Sequence, residues 1–305
     1  MFRKLPIFLF LLCATTLPAQ KKLFNKANDL FKNGEYGNAI PLYEEILLER
    51  DGIATKSKLA YCYRMNNRLA DAEKLYAEVV QHKRARSETF LFYGEALMSN
   101  EKYAEAKKWF EKYAEEEPDD PQAAVMVRAC DEVQNIEPYF KNAQLIIFPE
   151  NSEADDNSPV FWNNGIVFTS DRNSGAKLLK EKAGATGRDY LNVYFSKEST
   201  DSVSNFTKPS TLSSKLSELN KNTGNTSFSF DSTKVFFTKN SNLLNRKSTY
   251  NLQLYSADVS GNNFKKVKKL NFCSGDLNYM HPAISVDGNR LFFTSDKPGG
   301  EGGTD

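Results

Sequence analysis

The sequence predicts an α + β multidomain chain: a helical solenoid followed by a series of antiparallel β units. Three observations predict it. A pattern of small and aromatic residues recurs over residues 21–137, stepping from Ala27 to Ala60 to Gly94. That pattern stops near Asn142, and three near-copies of one hairpin follow: SPVFWNNGIVFTSDR at 158–172, TSFSFDSTKVFFTKN at 226–240 and HPAISVDGNRLFFTSDK at 281–297. The 22 Phe and 14 Tyr supply the ring area that cores in both parts need, unlike the composition of a disordered chain.

The first twenty residues differ from all that follow. Arg3 and Lys4 precede an apolar run from Leu5 to Leu12, and Leu17-Pro18-Ala19-Gln20 supplies a small-residue exit. This is the pattern of a secretory signal peptide, with cleavage expected after Ala19 or Gln20. The apolar run is shorter than the ~20 residues a membrane helix needs, so no transmembrane helix is expected in the mature chain. Leu11 and Leu12 stand where small residues should precede a lipidated cysteine, which argues against lipidation of Cys13.

Residues 21–137 read as three helix pairs and a cap. Ala27, Leu30, Tyr36, Ala39, Tyr43 and Ile46 take the positions of Ala60, Tyr63, Leu69, Ala72, Tyr76 and Val79 in the second copy. Gly94, Leu97, Tyr103, Ala106, Phe110 and Tyr113 fill them in the third. Ordinary amphipathic helices repeat every three to four residues without such a longer period. Asn33-Gly34, Asn66-Asn67 and Ser99-Asn100 fall at the turn within each pair, where left-handed backbone is needed. Residues 119–134 form one more helix that caps the last pair.

This pattern resembles the tetratricopeptide repeat, in which small residues allow close helix crossing and large ones fill the neighbouring holes. The resemblance implies a curved array whose first helices line a partner groove, here with Asn28, Phe31, Tyr61, Arg64, Glu95 and Met98. The Lys/Asn/Arg clamp with which some family members hold a C-terminal carboxylate is not reproduced, because Phe24 stands at the first lysine position. A solvated groove and a dedicated peptide site both fit these residues.

From Asn142 onward, strands are expected at 145–148, 166–169, 191–196, 235–238, 252–256 and 291–294, with loops at 173–189 and 199–226. Hairpins repeated in series are the sequence form of β-propeller blades, so the second part is expected to be an incomplete β-propeller. Ser158-Pro159 and His281-Pro282, the Asp287-Gly288 turn and the Phe-Thr-Ser-Asp exits resemble WD-like propeller repeats of the TolB type. The first copy has a shorter turn, and the second lacks the proline.

A signal peptide (1–20), a tetratricopeptide array (21–137) and such a propeller (138–305) are together similar to OmpA-family envelope proteins of Bacteroidota-type bacteria. Some of those are accessory parts of type IX secretion. The resemblance implies a non-enzymatic scaffold in the periplasm, associated with the outer membrane or cell wall. Its partners would be envelope or secretion-complex proteins, with peptidoglycan reached only through a domain beyond Asp305. On this reading the chain is a fragment.

Chemistry-bearing motifs are sparse. The 40 basic and 39 acidic residues nearly cancel, and no block of one sign predicts binding to nucleic acid. His82 and His281 lie in different parts, and there is neither a G-x-S-x-G nor an H-E-x-x-H motif. Asp155, Asp156, Asp171, Asp231, Asp287 and Asp296 fit turn chemistry better than calcium binding, since no D-x-D-x-D-G run occurs. Cys62 and Cys130 read as small buried hydrophobes. No cofactor or metal is expected. The competing reading is the propeller part of an exported hydrolase or lyase whose catalytic residues lie outside this sequence.

Overall fold

The computed structural model describes residues 20–140, 147–173, 181–200, 205–244, 250–300 and 303–304. The expected signal peptide lies outside the described residues. Two compact units form: Met1–Leu145 together with Ala183–Arg188, and Ile146–Lys182 together with Asp189–Asp305. No helix among the described residues is long and apolar enough to cross a membrane.

The first unit is built from α1 (20–32), α2 (Tyr36–Glu49), α3 (Ile53–Met65), α4 (Leu69–Val79), α5 (Ser87–Ser99), α6 (Tyr103–Glu116) and α7 (Pro121–Phe140). The residues at repeat positions form its core. Ala39, Ala72 and Ala106 are fully buried, as are the rings of Tyr43, Tyr76 and Phe110. Gly94 shows why the crossing position is small: a Cβ there would lie 2.5 Å from the Phe110 ring. α7 runs past residue 137, where the sequence pattern ends the array.

Each pair turns by the same device. The amides of Glu35, Arg68 and Lys102 reach back to the carbonyls of Leu30, Tyr63 and Leu97, each at 2.9 Å, closing a Schellman-type end. The residue before each donor is left-handed: Gly34 (φ 76°), Asn67 (φ 56°) and Glu101 (φ 64°). In the third pair the left-handed residue is thus Glu101, one position beyond the Ser99-Asn100 turn the sequence pointed to.

The six-residue turn Ala183–Arg188 belongs to this first unit. The Ala183 amide donates to the Arg188 carbonyl at 2.8 Å, closing the turn. It seats on the ends of the first two pairs: Gly37 and Asn38 amides donate to the carbonyls of Ala185 and Gly184, at 2.9 and 3.2 Å. Asn66, buried, adds its Nδ2 to the Ala185 carbonyl at 3.2 Å.

The second unit is antiparallel throughout its described strands. One sheet has β1 (Asp156–Phe161), β2 (Gly165–Ser170), β3 (Asn192–Lys197) and β4 (Ser210–Thr211) in chain order. The next has β5 (Thr223–Phe228), β6 (Lys234–Leu244), β7 (Tyr250–Ser260) and β8 (Asn263–Lys269), and the last pairs β9 (Tyr279–Ile284) with β10 (Leu291–Ser295). Trp162 of the β1–β2 turn and Val167 and Val193 of the first sheet share one core with Val235, Phe237 and Tyr255 of the second. The sheets are not closed into a ring.

Three expectations are corrected. Ile147 and Phe148 are not strand; Phe148 instead sets its ring edge-on against Phe168 and Phe206, at 6.0 and 5.0 Å between centroids. Residues 145 and 146 of that expected strand lie outside the described residues. The tract 199–226, expected as loop, contains β4 and the start of β5, whose Ser, Thr, Gly and Asn content hid them. β8 was not expected at all: its sequence NFKKVKK buries only Phe264 fully and leaves its lysines in solvent.

Candidate functional site

The groove of the helical unit is lined by the first helices of the pairs, and a cavity of about 460 Å³ opens along it. Its floor is a chain of rings. Phe31, Tyr36 and Tyr61 meet at 5.4–5.5 Å between centroids, and Tyr61 continues to Phe92 at 5.5 Å. Rings in edge-to-face contact at these distances form a firm apolar surface.

The six groove residues named from the sequence divide into four kinds. Phe31 and Tyr61 line the cavity. Asn28 stands beside it, its Oδ1 accepting from the Tyr43 hydroxyl at 2.9 Å and from the Lys58 ammonium. Arg64 and Glu95 neutralise each other, with Nε and Nη2 at 2.7 and 2.5 Å from one carboxylate oxygen, while the guanidinium lies 4.3 Å over the Phe92 ring. Met98 packs against the core.

The charged lining was not singled out from the sequence. Lys58, Arg84 and Arg86 face the cavity, and none makes an ion pair among the described residues. Burial lowers the Lys58 pKa from its ordinary value, and the nearby Lys32 and Arg86 charges lower it further. The Lys58 ammonium lies 5.5 and 5.8 Å over the rings of Phe24 and Phe31. Tyr76, only 1% exposed, belongs to the same lining, and its buried hydroxyl has no hydrogen-bond partner among the described residues. A buried donor left unpaired costs ~1–3 kcal/mol, so an acceptor brought into the cavity would relieve it. Glu88 is the acidic side chain of this lining.

Models of the tetratricopeptide repeat match residues 24–89 and 63–129. The helical unit is a tetratricopeptide solenoid. Solved domains similar to it include the first tetratricopeptide domain of Spaghetti (RPAP3), bound to the HSP90 peptide SRMEEVD, at 26% identity. That match covers 38% of this chain and 93% of that one, with a TM-score of 0.34. The first tetratricopeptide domain of human RPAP3 matches at 25% identity over 41% and 97% of the two chains, TM-score 0.34. The Arabidopsis OM64 domain does so at 19% over 38% and 97%, TM-score 0.34. No curated protein matches the chain.

The remaining candidate groups are occupied structurally. Asp171, Asn240 and Asp296 each accept the backbone amide of the residue just before the strand that begins their own hairpin, from Asp155, Asn222 and Asn278 at 2.7–2.9 Å. Asp231 and Asp287 close hairpin turns, accepting the amides of Thr233 and Asn289 at 3.0 and 3.1 Å. These bonds hold both turn carboxyls below their ordinary pKa, led by the hydroxyls of Ser229 and Ser285. Cys62, Cys130 and Cys273 are buried, and burial pushes the Cys62 thiol up to about 12, far from a reactive thiolate. The His281 amide donates to the Thr238 hydroxyl at 3.1 Å, at a bulge rather than in a catalytic cluster.

Proposed function

We propose that the protein is a non-enzymatic scaffold whose tetratricopeptide groove holds an acidic segment of a partner protein. Tetratricopeptide arrays serve as protein-interaction surfaces, which supports the coarser half of this reading. The observation that carries the finer half is the cavity itself. Three cations without an ion pair among the described residues, Lys58, Arg84 and Arg86, line a cavity with an aromatic floor, and Tyr76 of the same lining carries a hydroxyl with no partner among those residues. A segment with carboxylates flanking one apolar side chain would satisfy all three features at once.

The wider setting is proposed from the sequence. An N-terminal signal peptide would send the chain to the periplasm, where the partners would be envelope or secretion-complex proteins of the OmpA-related, type IX kind. Contact with peptidoglycan would need a further domain. The β units would be successive blades of a TolB-type β-propeller. Their chain-ordered four-stranded antiparallel sheets, and the packing of β5 on the first sheet and β9 on the second, support that architecture.

Fluorescence anisotropy with a labelled ten-residue peptide, glutamate-rich around a single leucine, tests the groove. Saturable binding that Lys58→Glu with Arg86→Glu weakens at least tenfold is expected. Equal affinity for a lysine-rich peptide of the same length would overturn the acidic preference.

A further inference from the structure

The second unit builds one kind of junction twice, from the first hairpin to the second and from the second to the third. Each hairpin's first strand carries a bulge whose leading residue is left-handed: Ser158 (φ 53°), Asn225 (φ 50°) and His281 (φ 53°). The Asn225 amide donates to the Thr169 hydroxyl of the preceding hairpin at 3.0 Å, and the His281 amide to Thr238 at 3.1 Å. The loops that lead into these strands begin and end alike. Leu212 and Leu270 donate their amides to the carbonyls of Val193 and Leu254, both at 2.9 Å. Asn222 and Asn278 side-chain oxygens accept the amides of Leu191 and Leu252, both at 2.9 Å.

Between those anchors the two junctions differ. Tyr194 and Tyr255 pair with Phe168 and Phe237 in register, so Tyr190 and Asn192 stand where the second junction has Asn251 and Gln253. Asn251 and Gln253 are buried and hold the loop 271–277, their side-chain amides donating to the carbonyls of Gly275 and Leu277 at 2.9 and 2.6 Å. Asn192 does not repeat this. Its Oδ1 accepts the Val193 amide at 2.8 Å and the Ser217 hydroxyl, and the loop it faces, 213–221, is longer. Where the second junction is held by side-chain amides, the first has a cavity of about 450 Å³, lined by Tyr190, Asn192, Thr211, Ser214, Ser217 and Asn220.

We propose that this cavity binds an uncharged sugar residue of a glycan. Its volume falls within the ~300–1,000 Å³ of small-molecule sites. The hydroxyls of Thr211 and Ser214 and the side-chain amides of Asn192 and Asn220 set donors and acceptors side by side, which is what a polyol requires. Tyr190 and Leu219, the latter 58% exposed, add apolar surface for the carbon face of a sugar ring. The charges in the lining cancel: Glu218 and Lys221 pair at 2.7 Å, and Lys239 takes the other oxygen of Glu218 at 2.6 Å. Bonds from the two lysines hold the Glu218 carboxyl below its ordinary pKa, so it is ionised and doubly paired, and the lining favours a neutral ligand over a charged one. The buried Asn220 Oδ1 has no hydrogen-bond partner among the described residues, and its Nδ2 has only a 3.5 Å bond to Glu181. A ligand hydroxyl beside Asn220 supplies the missing donor.

Saturation-transfer difference NMR on the chain, with cellobiose, maltose and N,N′-diacetylchitobiose as probes, tests this. At least one of these neutral disaccharides is expected to bind saturably, with an affinity that added salt leaves unchanged. Thr211→Val combined with Ser214→Ala, both at exposed positions, weakens that binding about fivefold or more. Ser214→Trp, which fills the cavity, abolishes it. Circular dichroism matching the wild type establishes that the variants fold. Failure of all three disaccharides to bind saturably overturns the proposal, as does a disaccharide that the Ser214→Trp chain binds with wild-type affinity. Tighter binding of glucuronic acid than of glucose would also overturn it, by showing that the site selects charge.

Discussion

The Gly37 amide donates to the Ala185 carbonyl at 2.9 Å, and a Cβ on Gly37 would lie 2.2 Å from the backbone at Thr186 and Gly187. The first helix pair therefore has a place for the Ala183–Arg188 turn only because residue 37 lacks a side chain. Gly37 has helical backbone, so alanine there would favour the helix locally by up to ~1 kcal/mol while evicting the turn. Gly37→Ala is expected to leave helix content unchanged and to accelerate amide exchange at 183–188. Unchanged exchange there would refute the dependence.

Glu101 occupies a left-handed position that glycine and asparagine fill in the two preceding pairs. A side chain at such an angle costs about 1–2 kcal/mol, part of which glycine's extra chain freedom offsets. Glu101→Gly is therefore expected to stabilise the helical unit by about 0.5–1 kcal/mol in urea unfolding, and Glu101→Val to destabilise it.

Tyr76 pairs its ring with the core and leaves its hydroxyl unmatched, whereas Tyr43 at the same repeat position bonds Asn28 and Phe110 has no hydroxyl. Tyr76→Phe is expected to change stability by less than about 1 kcal/mol, or to raise it. Its effect should fall on the acidic peptide, whose dissociation constant rises about fivefold. Tyr43→Phe should do the reverse, lowering stability by about 1 kcal/mol because Asn28 loses a donor.

Thr238 is buried beneath His281, and Thr238→Val keeps its shape while removing the acceptor of the His281 amide. A loss of about 1–3 kcal/mol from the β unit is expected in denaturant titration, and a loss under about 0.5 kcal/mol would refute the bond's contribution.

Asp156 is largely buried; that burial raises its pKa, but bonds from Ser170, Arg172 and Ser152 outweigh it and hold the carboxyl below its ordinary value. Arg172 Nη2 lies 2.8 Å from it. A lowered carboxyl contributes stability that is complete above its unfolded pKa, near 3.8, and is lost as pH falls through the lower folded value. Asp156→Asn should lower stability at pH 7 and flatten the acid limb of the stability curve. An NMR titration midpoint for Asp156 above 3.8 would contradict the sign.

The helical unit was legible because each repeat position carries one demand. Ala39, Ala72 and Ala106 are small where helices cross, and Tyr43, Tyr76 and Phe110 fill the neighbouring holes. Aromatic positions in the groove followed from the same register: Tyr61 stands at the Asn28 position and Phe31 at the Arg64 position, both on the first helix of a pair, and both rings meet the cavity. The cations did not follow from it. Lys58, Arg84 and Arg86 are marked out by lining one cavity beside an aromatic floor, which is a property of the folded arrangement. β2, β6 and β10 were marked by their Phe-Thr endings, whereas β4, β5 and β8 hold polar residues whose strand geometry comes from pairing with a neighbour already in place. The function of Ser158-Pro159 and His281-Pro282 as bulges was likewise hidden, because a left-handed residue before a threonine-bearing neighbour is a relation between hairpins rather than within one.

The threonine-to-bulge bond is the constant part of the β series. Each of the second and third hairpins brings a bulge amide to a threonine hydroxyl of the hairpin before it, so that one bond is the same at both junctions, whereas the ring contact of Phe228 on Trp162 belongs to the first junction. Backbone register between neighbouring units is thus set by a constant polar bond, and the apolar contacts around it are free to vary from one junction to the next.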